Sequence, residues 1–166
     1  MKQHLFMQAY KIVVLGPQCS GKTTLVKYLQ EHDSLLPVVD EDELLTKLNG
    51  GTFPFENKES LLLQVEEKVK NADSIIFFTS HCSPFFLKEL KAKGYKIVQL
   101  EIDMPTLVER NQKRMKEEGY PDSTQWLESG VALCKAIQEQ GLIDKVVDAN
   151  RPVETVANEF ISFFKN

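Results

Sequence analysis

Eight residues, GPQCSGKT from Gly16 to Thr23, lie between the unbroken apolar run Ile12-Val13-Val14-Leu15 and a helix-forming segment that opens at Lys22. The spacing Gly16-x-x-x-x-Gly21-Lys22-Thr23 is the P-loop pattern, and a strand before it with a helix after it is the context in which that pattern cradles phosphate. The glycines let the chain curl until successive N–H groups converge, and the first turn of the helix adds its positive end. Gly16, Pro17, Gln18, Cys19, Ser20, Gly21, Lys22, Thr23 and Thr24 are therefore expected around the phosphates of a nucleotide. Lys22 would reach the β and γ phosphates as a point charge, and the Thr23 hydroxyl would ligate the magnesium ion that bridges them. An ordinary glycine-rich turn is the competing reading, and the agreement of strand, motif and helix weighs against it. Cys19 occupies a variable position of the loop and reads as a bystander rather than a nucleophile.

The rest of the chain fits the architecture this loop belongs to. Short apolar runs recur at Lys11 to Leu15, Leu35 to Val39, Ser74 to Thr79, Lys96 to Ile102 and Lys145 to Val147. They are nearly unbroken rather than alternating, as strands covered on both faces are, and sheets covered on both faces are typically parallel. Segments of helical period separate them: Lys22 to His32, Glu56 to Asn71, Pro84 to Lys93, Pro105 to Glu118, Thr124 to Gln140 and Val153 to Phe164. In the last, Val153, Val156, Ala157, Phe160, Ile161 and Phe164 form one apolar stripe. The expectation is an α/β fold: a three-layer P-loop NTPase domain with a five-stranded parallel sheet flanked by helices and a small lid. Ligands of such folds collect at the carboxyl ends of the strands.

Composition narrows the partners. With 166 residues, 42% apolar and 27% charged, the chain reads as one globular domain over residues 1–166. A net charge of -4 gives no electrostatic reason for a nucleic acid as main partner. No apolar run approaches the roughly 18 residues that span a bilayer, and Met1 to Tyr10 lacks the apolar core of a signal peptide, so a cytoplasmic protein without membrane partners is expected. Cys19, Cys82 and Cys134 are odd in number and contain no CxxC pair, which favours neither a disulfide framework nor a zinc site.

Two P-loop classes fit poorly. The acids Asp40, Glu41 and Asp42 follow the strand directly after the P-loop helix, whereas the magnesium-site acid of a motor ATPase ends a strand further downstream. A switch GTPase needs DxxG and an NKxD-type base reader, and neither occurs in the chain. The arrangement instead resembles, over most of the chain, the P-loop small-molecule kinases, the superfamily of adenylate, shikimate and gluconate kinases. "VVDEDELLTKLNG" is similar to the shikimate-kinase segment in which two aspartates two apart follow the second strand. The resemblance implies that Asp40 positions hydrated magnesium and Asp42 addresses the acceptor hydroxyl, whose proton a carboxylate can accept. The competing reading is that these acids open a helix, where they are favoured.

"IDMPTLVERNQKR" resembles the helix leading into the lid of these kinases, whose arginines cover the phosphoryl group in transfer. Arg110 and Arg114 stand four apart on one helix face, and a guanidinium fork matches phosphate geometry. A solvated face would use lysine, and the chain has three arginines against seventeen lysines. The lid is expected over residues 111–125, with Gly119 and Pro121 shaping its bend. "LIDKVVDANRPVETV" resembles the last strand and adenine-side loop of adenylate-type kinases and assigns Arg151 to nucleotide binding; Pro152 also suits the first position of a helix.

The resemblance implies an enzyme that moves the γ-phosphoryl of ATP, with Mg2+, to a small hydroxyl-bearing acceptor. A nucleoside monophosphate kinase and a nucleotide-binding or hydrolysing regulatory protein are the alternatives. "FFTSHCSPFFLKEL" carries neither the adenylate-kinase signature nor the shikimate-kinase glycine triplet expected there, so it names no acceptor. His81 falls at the functional edge, as a substrate contact or a plain residue before a helix. Cys82, Phe85, Phe86 and Trp126 read as packing. Residues 1–109 contain no arginine, which argues against a second phosphate on the acceptor, because lysine lacks the bidentate fork.

Overall fold

A computed structural model describes residues 8–165; the first seven residues, on which the reading of Met1 to Tyr10 mostly rests, lie outside them. Five strands, β1 (Lys11–Leu15), β2 (Val38–Asp40), β3 (Ile75–Thr79), β4 (Lys96–Glu101) and β5 (Lys145–Asp148), form one sheet of order β2-β3-β1-β4-β5. Every pairing is parallel. Seven helices connect and cover it: α1 (Lys22–His32), α2 (Glu41–Leu48), α3 (Lys58–Lys70), α4 (Pro84–Ala92), α5 (Met104–Glu118), α6 (Thr124–Glu139) and α7 (Val153–Lys165).

The unbroken apolar runs are explained by burial on both faces. Ile12 and Val14 of β1 join one core layer with α1 and α7, while Val13 and Leu15 join the other with α3 and α4. All five residues of β3 are buried. The stripe expected on the last helix is present: Val156, Ala157 and Phe160 are buried and pack on the layer that holds α1.

Two elements differ from expectation. The strand expected over Leu35 to Val39 begins three residues later. Leu36 N–H closes a turn onto Asp33, Leu35 N–H bonds the Asp33 carboxylate, and Pro37 has no N–H for a ladder. The acids after it open helix α2, which periodicity had not marked. Asp40 caps it by accepting from the N–H groups of Asp42 and Glu43, and Glu41, Asp42 and Glu43 fill the first turn, where the helix dipole favours them.

The register sets the working edge. Leu15, from which the phosphate loop departs, pairs with Thr79 on one side and Gln99 on the other. Asp40 pairs with Phe78 at the end of the outer strand. The loop thus rises from the middle of the sheet, and the acids of β2 and α2 stand two strands away across β3.

Candidate active site

The phosphate loop is held in shape by a few specific contacts. Cys19 and Gly21 both have left-handed backbone, at φ 64° and 92°, which turns neighbouring N–H groups inward and makes Cys19 the one described non-glycine residue in that region. Ser20 N–H bonds Pro17 O at 3.2 Å, and Ser20 is buried. A Cβ on Gly16 would lie 2.5 Å from Ser20 Oγ, 3.2 Å from Ser20 Cβ and 3.3 Å from Leu100 Cβ. The first glycine of the motif is therefore required by close approach.

Lys22 folds back over the loop. Its Nζ donates to Gly16 O and Pro17 O, each at 2.7 Å, and to Ser20 Oγ at 3.3 Å. Loss of water lowers its pKa from 10.5 to about 8, against the opposing pull of Cys134, Asp40 and Asp42. A polyanion offered to this loop would meet an ammonium that has little other charge compensation. Thr23 and Thr24, on the first turn of α1, are exposed.

Both expected arginines reach the loop from α5. Arg114 Nη1 donates to Cys19 Sγ at 3.5 Å, and its guanidinium stacks 4.1 Å from the Tyr120 ring centre. Arg110 Nη1 lies 3.4 Å from where a Cβ on Gly21 would sit, and its Nη2 donates to Ala149 O at 2.8 Å. The latter contact also brings the turn after β5 alongside the loop. Arg151 of that turn behaves differently: its guanidinium pairs with Glu159 of α7, and its Nε donates to Asp148 O at 3.1 Å. The structure thus gathers Arg110 and Arg114 at the phosphate loop and turns the Arg151 side chain towards α7.

The acids differ in their surroundings. Asp40 Oδ1 receives the N–H groups of Asp42 at 2.9 Å and Glu43 at 3.4 Å, which leaves its second oxygen free of the cap. Burial raises its pKa, and the neighbouring Asp42 adds to the rise. The Asp42 side chain is exposed, on the first turn of α2. Among the described residues no three or more His, Cys, Asp or Glu side chains gather into a metal cage. Thr23, exposed on the first turn of α1, and the second oxygen of Asp40 offer oxygen donors of the kind that magnesium takes.

One further acid belongs to this edge without any motif that marks it in the sequence. Glu41 is 6% exposed, and its Oε2 accepts from Thr79 Oγ1 at 2.7 Å. Burial lifts its pKa from 4.5 to about 7, and the Thr79 hydrogen bond and the charge of Lys58 only partly offset that. The signal is one of spacing: Glu41, Leu45 and Leu48 stand at i, i+4, i+7, the interior face of the helix. His81, at the same edge, is exposed; loss of water around the ring, then Lys58 and Lys22, lower its pKa.

Packing expectations divide. Cys82 and Phe86 are buried, but Phe85 is 72% and Trp126 53% exposed. Phe86, Leu87 and Leu90 make the inward face of α4, and Phe85 falls off that face. Residues 111–125 comprise the second half of α5, a five-residue connection and the start of α6. Asn111 ties them together, with Nδ2 donating to Asp122 at 2.8 Å and Oδ1 accepting from Ser123 N at 3.0 Å. No described helix is long and apolar enough to cross a membrane.

A parallel sheet of order 2-3-1-4-5, a phosphate loop on its central strand and two arginines leaning over that loop define a P-loop nucleotide-binding fold of the small-molecule kinase type. The chain belongs to the family described as AAA domain, whose model matches residues 12–129. No curated protein sequence matches it. Among solved structures it resembles a shikimate kinase from Bacteroides thetaiotaomicron (16% identity, TM-score 0.70, covering 95% of this chain and 99% of that one). It also resembles a shikimate kinase from Aquifex aeolicus vf5 (20%, 0.68, 93% and 95%) and a gluconokinase from Sinorhizobium meliloti 1021 (18%, 0.65, 92% and 90%). The likeness to these enzymes is one of fold.

Proposed function

We propose that the protein is an ATP-dependent phosphotransferase that moves the γ-phosphoryl group to a small hydroxyl-bearing metabolite. The observation that carries this reading is the convergence of Arg110 and Arg114 on the loop holding Lys22, with the charges of Asp40 and Asp42 near enough to act on its ammonium. A phosphate-binding turn alone needs neither the arginines nor a second carboxylate. Phosphoryl transfer needs both positive groups around the equatorial oxygens and a base near the attacking hydroxyl.

In this reading the backbone of Gly16 to Thr24 holds the phosphates, and Lys22 leaves the Gly16 and Pro17 carbonyls for phosphate oxygens. Thr23 and Asp40 would hold a magnesium ion from the protein side, and the ion would supply charge neutralisation at the phosphates. Asp42 accepts the proton of the acceptor hydroxyl as its oxygen bonds to the γ phosphorus and ADP departs. Arg110 and Arg114 stabilise the charge on the phosphoryl group in transfer, and residues 111–125 act as the lid that carries Arg114 and Tyr120. The turn from Asp148 to Pro152 supplies the base side of the nucleotide site, with Arg151 contributing once it leaves Glu159.

The acceptor is proposed to present a hydroxyl and little negative charge, as a nucleoside or sugar-like metabolite does. The acceptor side of the sheet holds Lys58 and His81 but no arginine, because none precedes Arg110. The test is a panel of polyols, sugar acids, nucleosides and nucleoside monophosphates scored for ADP release with ATP and magnesium against a no-acceptor control. Turnover on an uncharged hydroxyl compound supports the reading. Transfer onto a monophosphate's phosphate makes the chain a nucleotide kinase, and ADP release that no acceptor stimulates makes it a hydrolysing regulatory protein.

A further inference from the structure

The Glu41 side chain has no part in the chemistry above, yet it is buried while the two acids that follow it, Asp42 and Glu43, are exposed. In the first turn of a helix a carboxylate is well placed when solvated. Burying it costs free energy unless its oxygens are satisfied, and an apolar residue would fill the same interior position without that cost. What Glu41 gains is a partner 38 residues away, Thr79, itself 1% exposed.

Thr79 passes the connection on. Its Oγ1 donates to Glu41 Oε2 at 2.7 Å and accepts from the His81 N–H at 3.0 Å. The hydroxyl's one hydrogen has two acceptors in reach, Glu41 Oε2 at 2.7 Å and His81 O at 3.0 Å, of which the carboxylate is the closer, and a lone pair receives the turn from Ser80 to Ser83. These two segments end neighbouring strands of the sheet, and on the proposed function they bear the base Asp42 and the acceptor-side residue His81. Lys58 of α3, Asp40 and Asp42 of the β2–α2 junction and Cys82 of the turn are the other ionisable groups that bear on Glu41 or its carboxylate.

We propose that Glu41, Thr79 and the His81 amide form a buried strut that holds Asp42 at a set position against the β3–α4 turn, making Glu41 and Thr79 positioning residues for the acceptor. The inference rests on the phosphotransferase reading. Its physical basis is that a base displaced by about 1 Å from its attack geometry loses about a hundredfold in rate, whereas nucleotide held on the other side of the site is unaffected.

The experiment compares wild type with Thr79→Val, which removes the hydroxyl, and with Thr79→Ser and Glu41→Gln, which keep donor and acceptor. Glu41→Met is the second disrupting variant should Thr79→Val not fold, as judged by circular dichroism. Turnover is measured with the acceptor found in the panel, or with water as acceptor where none is found, alongside ATP affinity and hydrogen exchange of the unliganded protein. Thr79→Val and Glu41→Met should lower kcat about tenfold or more with KM for ATP within about twofold, and Thr79→Ser and Glu41→Gln should restore most of it. Exchange should quicken together at residues 41–43 and at His81 in the disrupting variants. Unchanged kcat, or exchange that stays slow at both segments, overturns the strut. A wild type that binds no ATP overturns the phosphotransferase reading and the strut's role with it.

Discussion

Replacing Lys22 by Met should separate binding from stability, because the same burial that readies the ammonium for phosphate opposes folding. In the unliganded protein Lys22 is charged inside the loop, with its pKa lowered from 10.5 to about 8. A shift of that size corresponds to about 3 kcal/mol held against the folded state at neutral pH. Removing the ammonium also loses its hydrogen bonds to Gly16 O and to Pro17 O, the latter keeping the Ser20 N–H, at a cost of about 1 kcal/mol each. The unliganded variant is thus expected to be more stable than wild type by about 1 kcal/mol at neutral pH. The sign of the pH dependence follows from proton counts. Below the folded pKa the ammonium is charged in both states and the cost is complete. Between that value and 10.5 the unfolded chain binds more protons, so wild type gains stability as pH rises while the variant does not. Urea unfolding in EDTA without nucleotide should show the difference shifting by about 2 kcal/mol between about pH 7 and pH 9.5, so that wild type becomes the more stable by about 1 kcal/mol at the upper pH. Magnesium ATP at about a hundred times its Kd should raise wild-type stability by about 2.7 kcal/mol and leave the variant unmoved. A variant less stable than wild type at neutral pH, or a gap that does not change with pH, would refute the reasoning.

Three further outcomes are expected. Asp42→Asn should lower turnover by about a hundredfold or more while ATP affinity stays near wild type, since the amide keeps the shape but accepts no proton; normal turnover with the true acceptor would return Asp42 to a helix-opening role. Gly16→Ala should destabilise the fold by about 1–3 kcal/mol in thermal or urea unfolding, because the Ser20 and Leu100 Cβ atoms cannot rotate out of the way; a neutral effect would mean that the loop is slack. For Glu41 the burial penalty is absent below about pH 4.5 and complete above about pH 7, the reverse of Lys22. The stability advantage of Glu41→Gln over wild type should therefore grow by about 3 kcal/mol between about pH 4 and pH 8, and urea unfolding at the two pH values measures it.

The phosphate loop and the order of strands and helices were legible because each depends on local rules. A glycine spacing states where the backbone curls, and an unbroken apolar run states that both faces are covered. The four-residue spacing of Arg110 and Arg114, with the scarcity of arginine, was enough to single out that pair. Helix α2 was obscured because eight residues, three of them acidic at the start, give little periodic signal, and the strand before it was placed early because Leu35 and Leu36 read as strand when they belong to a turn on Asp33.

What the sequence by itself determined is the class of loop and the residue types gathered there, since these follow from backbone conformation and charge within a few residues. Which side chains meet was decided only by the tertiary structure. The Glu41 to Thr79 bond spans 38 residues, Arg114 finds Cys19 across 95, and Arg151 prefers Glu159 to the nucleotide side. Parallel strand order and the burial it imposes set those encounters. No local pattern could tell that, of three consecutive acids, the middle one is drawn into the protein while the third stays in water.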